Sequence, residues 1–456
     1  MSLVDPLFPL FVALALAAAW LLPQRHRAVR LLASLLFYAW SGLGMLAFLL
    51  ASSAISYGLI RLIARDPGRR RWWTGAAIAV NLAPLALLKY LDFTVLQLQP
   101  LFPSLSPPGW VIPLGLSFWT FQALGWVLDT ARGTSPPPRD GIEYLLFVSW
   151  FPQLVAGPIE RSRALVPQLA RWAPPDRAGF RAGIALALSG AAKKVVVADT
   201  LGPYVDKVFA RADPPAVLVG VAGVAFMVQI YADFSGYTDI ARGVSQLFGV
   251  RLSENFRAPW LAASPLEFWS RWHITMTTWI RDYLLGPLLG AGVPSAARQS
   301  VVVVVALLLL GAWHGAGWNY LAFGLWHAGW ILLYSRLPRP PERGRARAGW
   351  VAFHLVALGW VGGLLFREPD PLHLWRLLTS DMAFAAPDRV AAATLAGLAL
   401  VGAGSIALVE RADQMIRRVG DLDLERPIRA TWWAALAAAV ILFGRELGSD
   451  FLYFRF

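Results

Sequence analysis

Apolar segments about as long as a membrane span recur from one end of this 456-residue sequence to the other. A helix needs about 20 mainly apolar residues to cross a bilayer, and lipid offers its backbone no hydrogen-bond partner, so only helices and closed barrels can span. The pattern predicts an all-α polytopic membrane protein with about ten to twelve transmembrane helices, plus interfacial or re-entrant helices. We expect one domain over residues 1–456. The candidate spans are residues 6–22, 29–44, 45–64, 73–93, 110–130, 180–198, 216–245, 298–313, 318–335, 349–366, 391–409 and 430–444.

Charged residues are scarce, and the basic ones fall mostly between the apolar segments. Residues of the four charged types form 15% of the chain, against roughly 25% in a soluble domain. The net charge of +13 includes short basic clusters such as Arg25, Arg27 and Arg30. The positive-inside rule predicts such loops, so we attribute the charge to topology and to membrane lipids, and expect no nucleic-acid partner.

The sequence contains no cysteine. Disulfides, thiolate nucleophiles and cysteine-ligated metals are therefore excluded. There is also no His-x-x-x-His pair and no tight spacing of carboxylates with histidines, so we expect no metal site. Any group transfer must rely on other side chains.

His314 is the most informative side chain, because an ionisable group among apolar segments is expensive and suggests function. It lies in the stretch 311–319, whose glycines leave room for another helix or a substrate to approach. Trp313 and Trp318 could wall a tunnel, and the amide of Asn319 could position a carbonyl or hydroxyl. A packed helix kink with a structural histidine fits the pattern equally well. His327, if it continued the same helix, would lie more than about 200° around from His314 and face elsewhere.

Residues 143–158 and 262–286 are amphipathic and are expected to be interfacial or re-entrant helices. In the second segment, apolar residues that include His273 recur at alternating spacings of three and four, which predicts a continuous helix. Glu267 and Arg271 form a favoured i,i+4 pair, so Arg271 reads as an ion-pair partner. This pattern alone favours a hydrogen-bonded core histidine over a catalytic one.

A third polar cluster follows the apolar run 216–228. Asp233 and Tyr237 are spaced i,i+4, and Asp239 and Arg242 are spaced i,i+3. Carboxylates in a membrane segment need partners. We therefore favour a buried network of salt bridges and tyrosines that fixes packing, over direct catalysis; such a network could still support a site.

Eight segments carry a resemblance to a known family, and they run in order from the first quarter of the chain to its last residue. These are residues 113–122, 151–159, 231–239, 253–260, 267–273, 279–283, 313–315 and 451–456. The chain resembles the membrane-bound O-acyltransferase (MBOAT) family. It looks closest to the bacterial branch that includes alginate O-acetylation and teichoic acid D-alanyl transfer.

The resemblance implies acyl transfer from a thioester to a hydroxyl, with His314 as the catalytic candidate and His273 as a second active-site residue. Asn255, in the matched segment 253–260, joins Asn319, Trp313, Trp318, Asp233, Tyr237 and Arg271 as a supporting or substrate-binding candidate. The family match also implies a multi-pass protein of the bacterial cytoplasmic (inner) membrane. No permanently bound cofactor is expected; the donor would be acetyl-CoA or another acyl thioester acting as co-substrate.

We hypothesise O-acetylation of a cell-envelope or exported polysaccharide, directly or through a periplasmic or extracellular acyltransferase partner. His314 would act as general base on the acceptor hydroxyl. His273 or Asn319 could stabilise the oxyanion. D-alanyl or other acyl transfer to a teichoic-acid-like polymer is an alternative within the same chemistry. A polytopic transporter or flippase is the alternative from another class, although the sequence shows no repeated halves.

Overall fold

A computed structural model describes residues 3–290, 292–337, 340–379, 383–418, 425–444 and 452. Every regular element in these ranges is helical, which confirms the all-α class. The chain divides into two compact units, residues 1–187 with 240–253, and residues 188–239 with 254–456. The single domain expected over residues 1–456 stays a prediction.

Besides the end of a later helix and the short 3-10 helices Pro23–Arg25 and Pro67–Arg69, the first unit holds, among the described residues, seven complete α-helices and the beginning of an eighth. They are α1 (Phe8–Leu21), α2 (His26–Ala39), α3 (Leu43–Arg65), α4 (Arg70–Leu98), α5 (Leu116–Arg132), α6 (Gly141–Ser149), α7 (Ser162–Leu169) and α8 (Arg177–Ala192), of which α8 ends in the second unit.

A buried arginine, Arg30, connects the ends of two helices in this unit. Arg30 lies in α2 and is fully buried, so its expected place in an exposed basic loop is wrong. Its guanidinium donates to the carbonyl oxygens of Leu169 at 3.0 Å and Phe248 at 2.7 Å. Both carbonyls lie at or just beyond helix C-termini, where carbonyls lack helical partners and attract positive charge. The arginine therefore satisfies two helix ends at once.

The second unit holds the remaining α- and π-helices, besides the 3-10 helix Pro259–Leu261. They are a π-helical turn Lys193–Ala198, α9 (Asp199–Phe209), α10 (Ala216–Leu247, whose last turns belong to the first unit), α11 (Pro265–Trp269), α12 (Ile274–Ile280), π-helical Arg281–Leu285, α13 (Gly286–Leu289), α14 (Ala296–His314), α15 (Trp318–Tyr334), α16 (Arg345–His354), π-helical Leu355–Trp360, α17 (Val361–Arg367), α18 (Pro371–Thr379), α19 (Ala386–Arg418) and α20 (Glu425–Phe443).

Every predicted span corresponds to a helix or to consecutive helices, but the count of ten to twelve is not confirmed. Six helical segments in the described part of the chain are long and apolar enough to cross a membrane. A seventh is added if the pair 8–21 and 23–39, bent by 107°, counts as one broken span. The other predicted segments are shorter or less apolar helices. Length and hydropathy thus located the helices better than they counted the spans.

The continuous helix predicted over residues 262–286 is wrong. The chain forms α11, breaks, and resumes as α12, with His273 at the break in the left-handed region at φ +44°. Such a conformation is uncommon for a residue other than glycine. Ser264 caps α11, because its side chain accepts from the Glu267 N–H at 3.0 Å. The break removes His273 from any helical stripe and places it by tertiary contacts instead.

Candidate active site

His314 is the last residue of α14, and the chain turns through residues 315–317 before α15 begins. Its side chain is buried, with 6% exposure. Its ring lies 5.0 Å from the rings of Trp313 and Phe366 and 5.9 Å from that of Phe323, measured between centroids. The imidazole thus lies among aromatic side chains at the C-terminal end of a helix.

The glycines around His314 make room for α15. A Cβ added at Gly311 would overlap the carbonyl of Tyr320, and one added at Gly315 would overlap the Tyr320 ring. A Cβ added at Gly324, further along α15, would likewise overlap the Leu307 carbonyl of α14. The expectation that small residues admit a neighbouring helix is confirmed at these positions. The space they create is filled by protein.

His273 is fully buried and held by Asn255. Its Nδ1 lies 3.2 Å from Asn255 Oδ1, which also accepts from the Thr275 N–H at 3.1 Å and the Thr275 hydroxyl at 2.9 Å. The backbone N–H of Thr275 requires an acceptor, which identifies the facing amide atom of Asn255 as the oxygen. His273 Nδ1 must then carry the proton, and its Nε2 presents a lone pair.

Trp313 brings the two histidines into one neighbourhood. Its ring lies 6.0 Å from the His273 ring and 5.0 Å from the His314 ring. The residues that the sequence singled out separately, in the segments 267–273 and 313–315, are therefore close in space. Sequence distance hides this proximity, because about forty residues separate the two histidines.

A small cavity of about 50 Å³ opens beside His314. One water needs roughly 10–15 Å³ of such space, so the cavity suits a group of a few heavy atoms. Its wall includes His314, His327, Phe323, Phe366, Trp272 and Phe268. A larger cavity of about 720 Å³ shares Phe268 and Trp272 with it and is lined almost entirely by apolar side chains.

His327 is the functional candidate that sequence reasoning missed. On one continuous helix His327 would face away from His314, but the chain breaks after His314, so the two histidines lie on α14 and α15. Both line the same small cavity. Gly315 and Gly317 were the available signal, since glycines so closely spaced favour a helix end. His327 is 1% exposed.

The other predicted supporting residues fall in different places. Asn319 is buried and its Nδ2 donates to the Phe366 carbonyl at 3.3 Å, so it orients a wall of the His314 cavity. Trp318 is 57% exposed and does not line either cavity described above, so the structure does not place it at the site.

Arg271 pairs with Glu267 at 2.8 Å, as its spacing predicted. Arg347 makes a second ion pair to the same carboxylate, also at 2.8 Å. Partial burial raises the pKa of Glu267, but the hydrogen bond from the Ala263 N–H and the two arginines outweigh it and hold that pKa below its usual value. The Arg271 side chain thus braces the segment before His273 from outside the cavity.

Asp233 and Asp239 have lysine partners. Lys194 Nζ lies 2.7 Å from Asp233 and 2.6 Å from Asp199, and Lys193 Nζ lies 2.6 Å from Asp239. This arrangement matches the salt-bridge network favoured from sequence, although neither lysine was identified there. Asp233 also accepts from the Leu452 N–H at 3.0 Å. Leu452 is the part of the matched segment 451–456 that lies within the described residues.

Tyr231 is a tyrosine of this network, and its hydroxyl donates to Glu410 at 2.8 Å. Tyr237 is buried at 3% exposure, and neither it nor Asp233 is among the described residues that line the two cavities. Phe234, one residue after Asp233, packs its ring 4.7 Å from that of His273. The network therefore anchors the stretch of α10 that packs on His273. No cluster of three or more potential metal ligands occurs among the described residues.

Comparison with known proteins identifies the family of this chain. The model of MBOAT, the membrane-bound O-acyltransferase family, matches residues 137–347, which include both site histidines and His327. A probable alginate O-acetylase of Azotobacter vinelandii is 35% identical over 82% of this chain and 76% of that protein. The peptidoglycan O-acetyltransferase of Helicobacter pylori is 29% identical over 72% of this chain and 69% of its own length. The teichoic acid D-alanyltransferase of Bacillus subtilis is 27% identical over 57% of this chain and 67% of that protein.

Proposed function

Because the chain belongs to the membrane-bound O-acyltransferase family, we propose that it transfers an acetyl group from a thioester to a hydroxyl of a cell-envelope polysaccharide. The observation that carries this proposal is the small cavity lined by His314, with His273 across Trp313. Its volume of about 50 Å³ suits a short acyl group. The most similar relatives named above are O-acetylating proteins, which favours acetyl over D-alanyl. The transporter alternative is set aside, since the family is one of acyltransferases.

His314 acts as the general base in this proposal. Its imidazole takes the proton of the acceptor hydroxyl while that oxygen attacks the thioester carbonyl carbon. The carbonyl π electrons move to oxygen, and the tetrahedral species collapses as the carbon–sulfur bond breaks. The leaving thiolate then takes the proton back from His314. No protein nucleophile is needed, which fits a chain without cysteine.

His273 is oriented by Asn255 and is not among the described residues that line the cavity. Its Nδ1–H donates to Asn255 Oδ1, so in the neutral ring Nε2 carries the lone pair. A neutral histidine in this tautomer cannot donate from Nε2 to an oxyanion. The side-chain amide of Asn319 donates a hydrogen bond to the Phe366 carbonyl, and Asn319 is not among the described residues that line the cavity. The geometry therefore supports neither of the two oxyanion donors expected from sequence.

The finer aspects of this function are also proposals. The donor is acetyl-CoA or another acyl thioester, and the apolar cavity of about 720 Å³ beside the site gives space for the bulkier part of a substrate. We place the chain in the bacterial cytoplasmic membrane, with the acceptor polysaccharide or a periplasmic acyltransferase partner on the outer side. Basic loops such as 65–72 would then face the cytoplasm.

The test is the acyl content of the envelope polysaccharide. Cells that lack the chromosomal copy are complemented with the wild-type chain or with His314→Ala, fed isotope-labelled acetate, and their polysaccharides are analysed by mass spectrometry. We expect labelled O-acetyl esters only with the wild-type chain, at equal membrane levels of both proteins. Esters of D-alanine in place of acetate would support the alternative acyl group. Equal acetyl content in the two strains would overturn the proposal.

A further inference from the structure

The proposed reaction needs a hydrogen-bond donor that neither His273 nor Asn319 supplies. Negative charge develops on the carbonyl oxygen as the acceptor attacks, and a fixed donor aimed at that oxygen is often the largest single contribution to such catalysis. Its side chain should line the cavity that holds His314, and should carry an N–H or O–H that the protein leaves uncommitted.

His327 meets both conditions. It lines the same cavity as His314 and is 1% exposed. A neutral imidazole always carries one N–H, yet among the described residues no hydrogen-bond partner is found for His327 Nδ1. Buried polar atoms are paired in the large majority of cases, and one without a partner calls for an explanation. A bound substrate oxygen would provide it.

The surroundings fix the His327 ring. Its centroid lies 4.4 Å from the Phe323 ring and 5.1 Å from the Trp269 ring, and Phe323 also packs 5.9 Å from His314. The two histidines therefore flank one aromatic side chain. An imidazole held by packing against two aromatic rings can offer its N–H without reorganising, which is what makes such a donor effective.

Helix α17 contacts both histidines, one turn apart. Phe366 packs against His314 with ring centroids at 5.0 Å. Four residues earlier, Gly362 faces His327, and a Cβ added there would lie 2.9 Å from Nε2. Residues spaced i,i+4 share one helix face. A glycine at this position leaves the space that the imidazole occupies.

We propose that His327 is a further catalytic residue, whose imidazole N–H binds the carbonyl oxygen of the acyl thioester and the oxyanion formed from it. This role rests on the proposed acyl transfer. His327 transfers no proton; it stabilises the charge while the carbon–oxygen bond to the acceptor forms and the carbon–sulfur bond breaks. The two histidines that line the cavity then have different tasks: His314 moves the proton and His327 donates a hydrogen bond.

The experiment measures acetyl transfer in membranes containing the full chain, with acetyl-CoA as donor and de-O-acetylated polysaccharide from the same cells as acceptor. We expect His327→Ala to lower kcat by about 10²–10³-fold with little change in KM for acetyl-CoA. His327→Gln, which retains an N–H donor, should recover part of that loss. The pH profile of kcat should keep its shape in His327→Gln, because this residue donates a hydrogen bond and does not titrate in the reaction.

A glycine pair provides the matched structural test. Gly362→Ala should displace the His327 ring and lower kcat, whereas Gly329→Ala, which adds its methyl to open space on the helix of His327, should behave as wild type. Equal losses in His327→Ala and His327→Gln, or full kcat in His327→Ala, would overturn the role of His327 while the wild-type activity stands. Absence of transfer by the wild-type chain would overturn the proposed function and this role together.

Discussion

Replacing Asn255 by alanine should damage both the stability of the protein and its chemistry, because one amide oxygen holds three donors. Asn255 Oδ1 accepts from the Thr275 backbone N–H, from the Thr275 hydroxyl and from His273 Nδ1, at 3.1, 2.9 and 3.2 Å. Asn255 is fully buried, so water cannot readily replace the lost acceptor.

The magnitude follows from counting the donors that have no alternative. The hydroxyl of Thr275 can rotate, but its backbone N–H and the His273 Nδ1–H are fixed in place. A buried donor left without a partner costs about 1–3 kcal/mol, so the two together lower the free energy of unfolding by about 2–6 kcal/mol. The His273 ring also loses the bond that sets its tautomer, and misplacement of a site group by about 1 Å can lower the rate about 10²-fold.

Thermal unfolding in detergent and acetyl-transfer kinetics, measured on the same preparations, separate the two effects. Asn81→Ala is the control, since Asn81 is also buried and its amide donates to Ser56 and Ala77 in the other unit. It should lower the unfolding temperature without lowering the kcat of the folded fraction. An Asn255→Ala protein with wild-type kcat, or one whose kcat falls only as much as that of Asn81→Ala, would refute the argument that Asn255 sets the state of His273.

Three further predictions concern packing and charge. Gly311→Ala should destabilise the protein by about 1–3 kcal/mol, because its methyl group overlaps the Tyr320 carbonyl, and denaturation midpoints would check this. Glu267→Gln should flatten the acid limb of the stability–pH curve: the depressed pKa means that this carboxylate stabilises the fold above its ordinary pKa of 4.5 and that the stabilisation is lost as pH falls through the lower folded value. His373 has the opposite sign, since its hydrogen bond to Glu368 raises its pKa. Its contribution is fully present below pH 6.5 and is lost as pH rises through the higher folded value, so His373→Gln should remove that loss from unfolding temperatures measured across pH.

The sequence was sufficient to locate most of the helices. Long apolar stretches have few alternatives in lipid, so residues 216–245 and 298–313 were recognised as the helices Ala216–Leu247 and Ala296–His314. The position of His273 was different. Periodicity is a local signal, and it cannot detect that Asn255, eighteen residues away, holds the chain in a left-handed turn at this residue.

The sequence also does not predict the positions of Arg30 and His327, because tertiary structure sets both. Arg30 looked like part of a basic loop, and only the carbonyls of sequence-distant helix ends explain why it is buried. The spacing of His327 from His314 separates the two side chains only if both lie on one helix, and the chain breaks between them. Helical spacing rules carry no information about the contacts of Arg30 with distant residues, or about a break between His314 and His327.

The central claim is that His314 removes the proton of the acceptor hydroxyl, and the rate of acetyl transfer by His314→Ala tests it most directly. The assay uses acetyl-CoA and de-O-acetylated polysaccharide, with the unfolding temperature of the variant measured alongside. We predict that kcat falls by about 10²–10⁴-fold in a protein that remains folded. A folded His314→Ala protein that transfers acetyl at the wild-type rate would contradict the account.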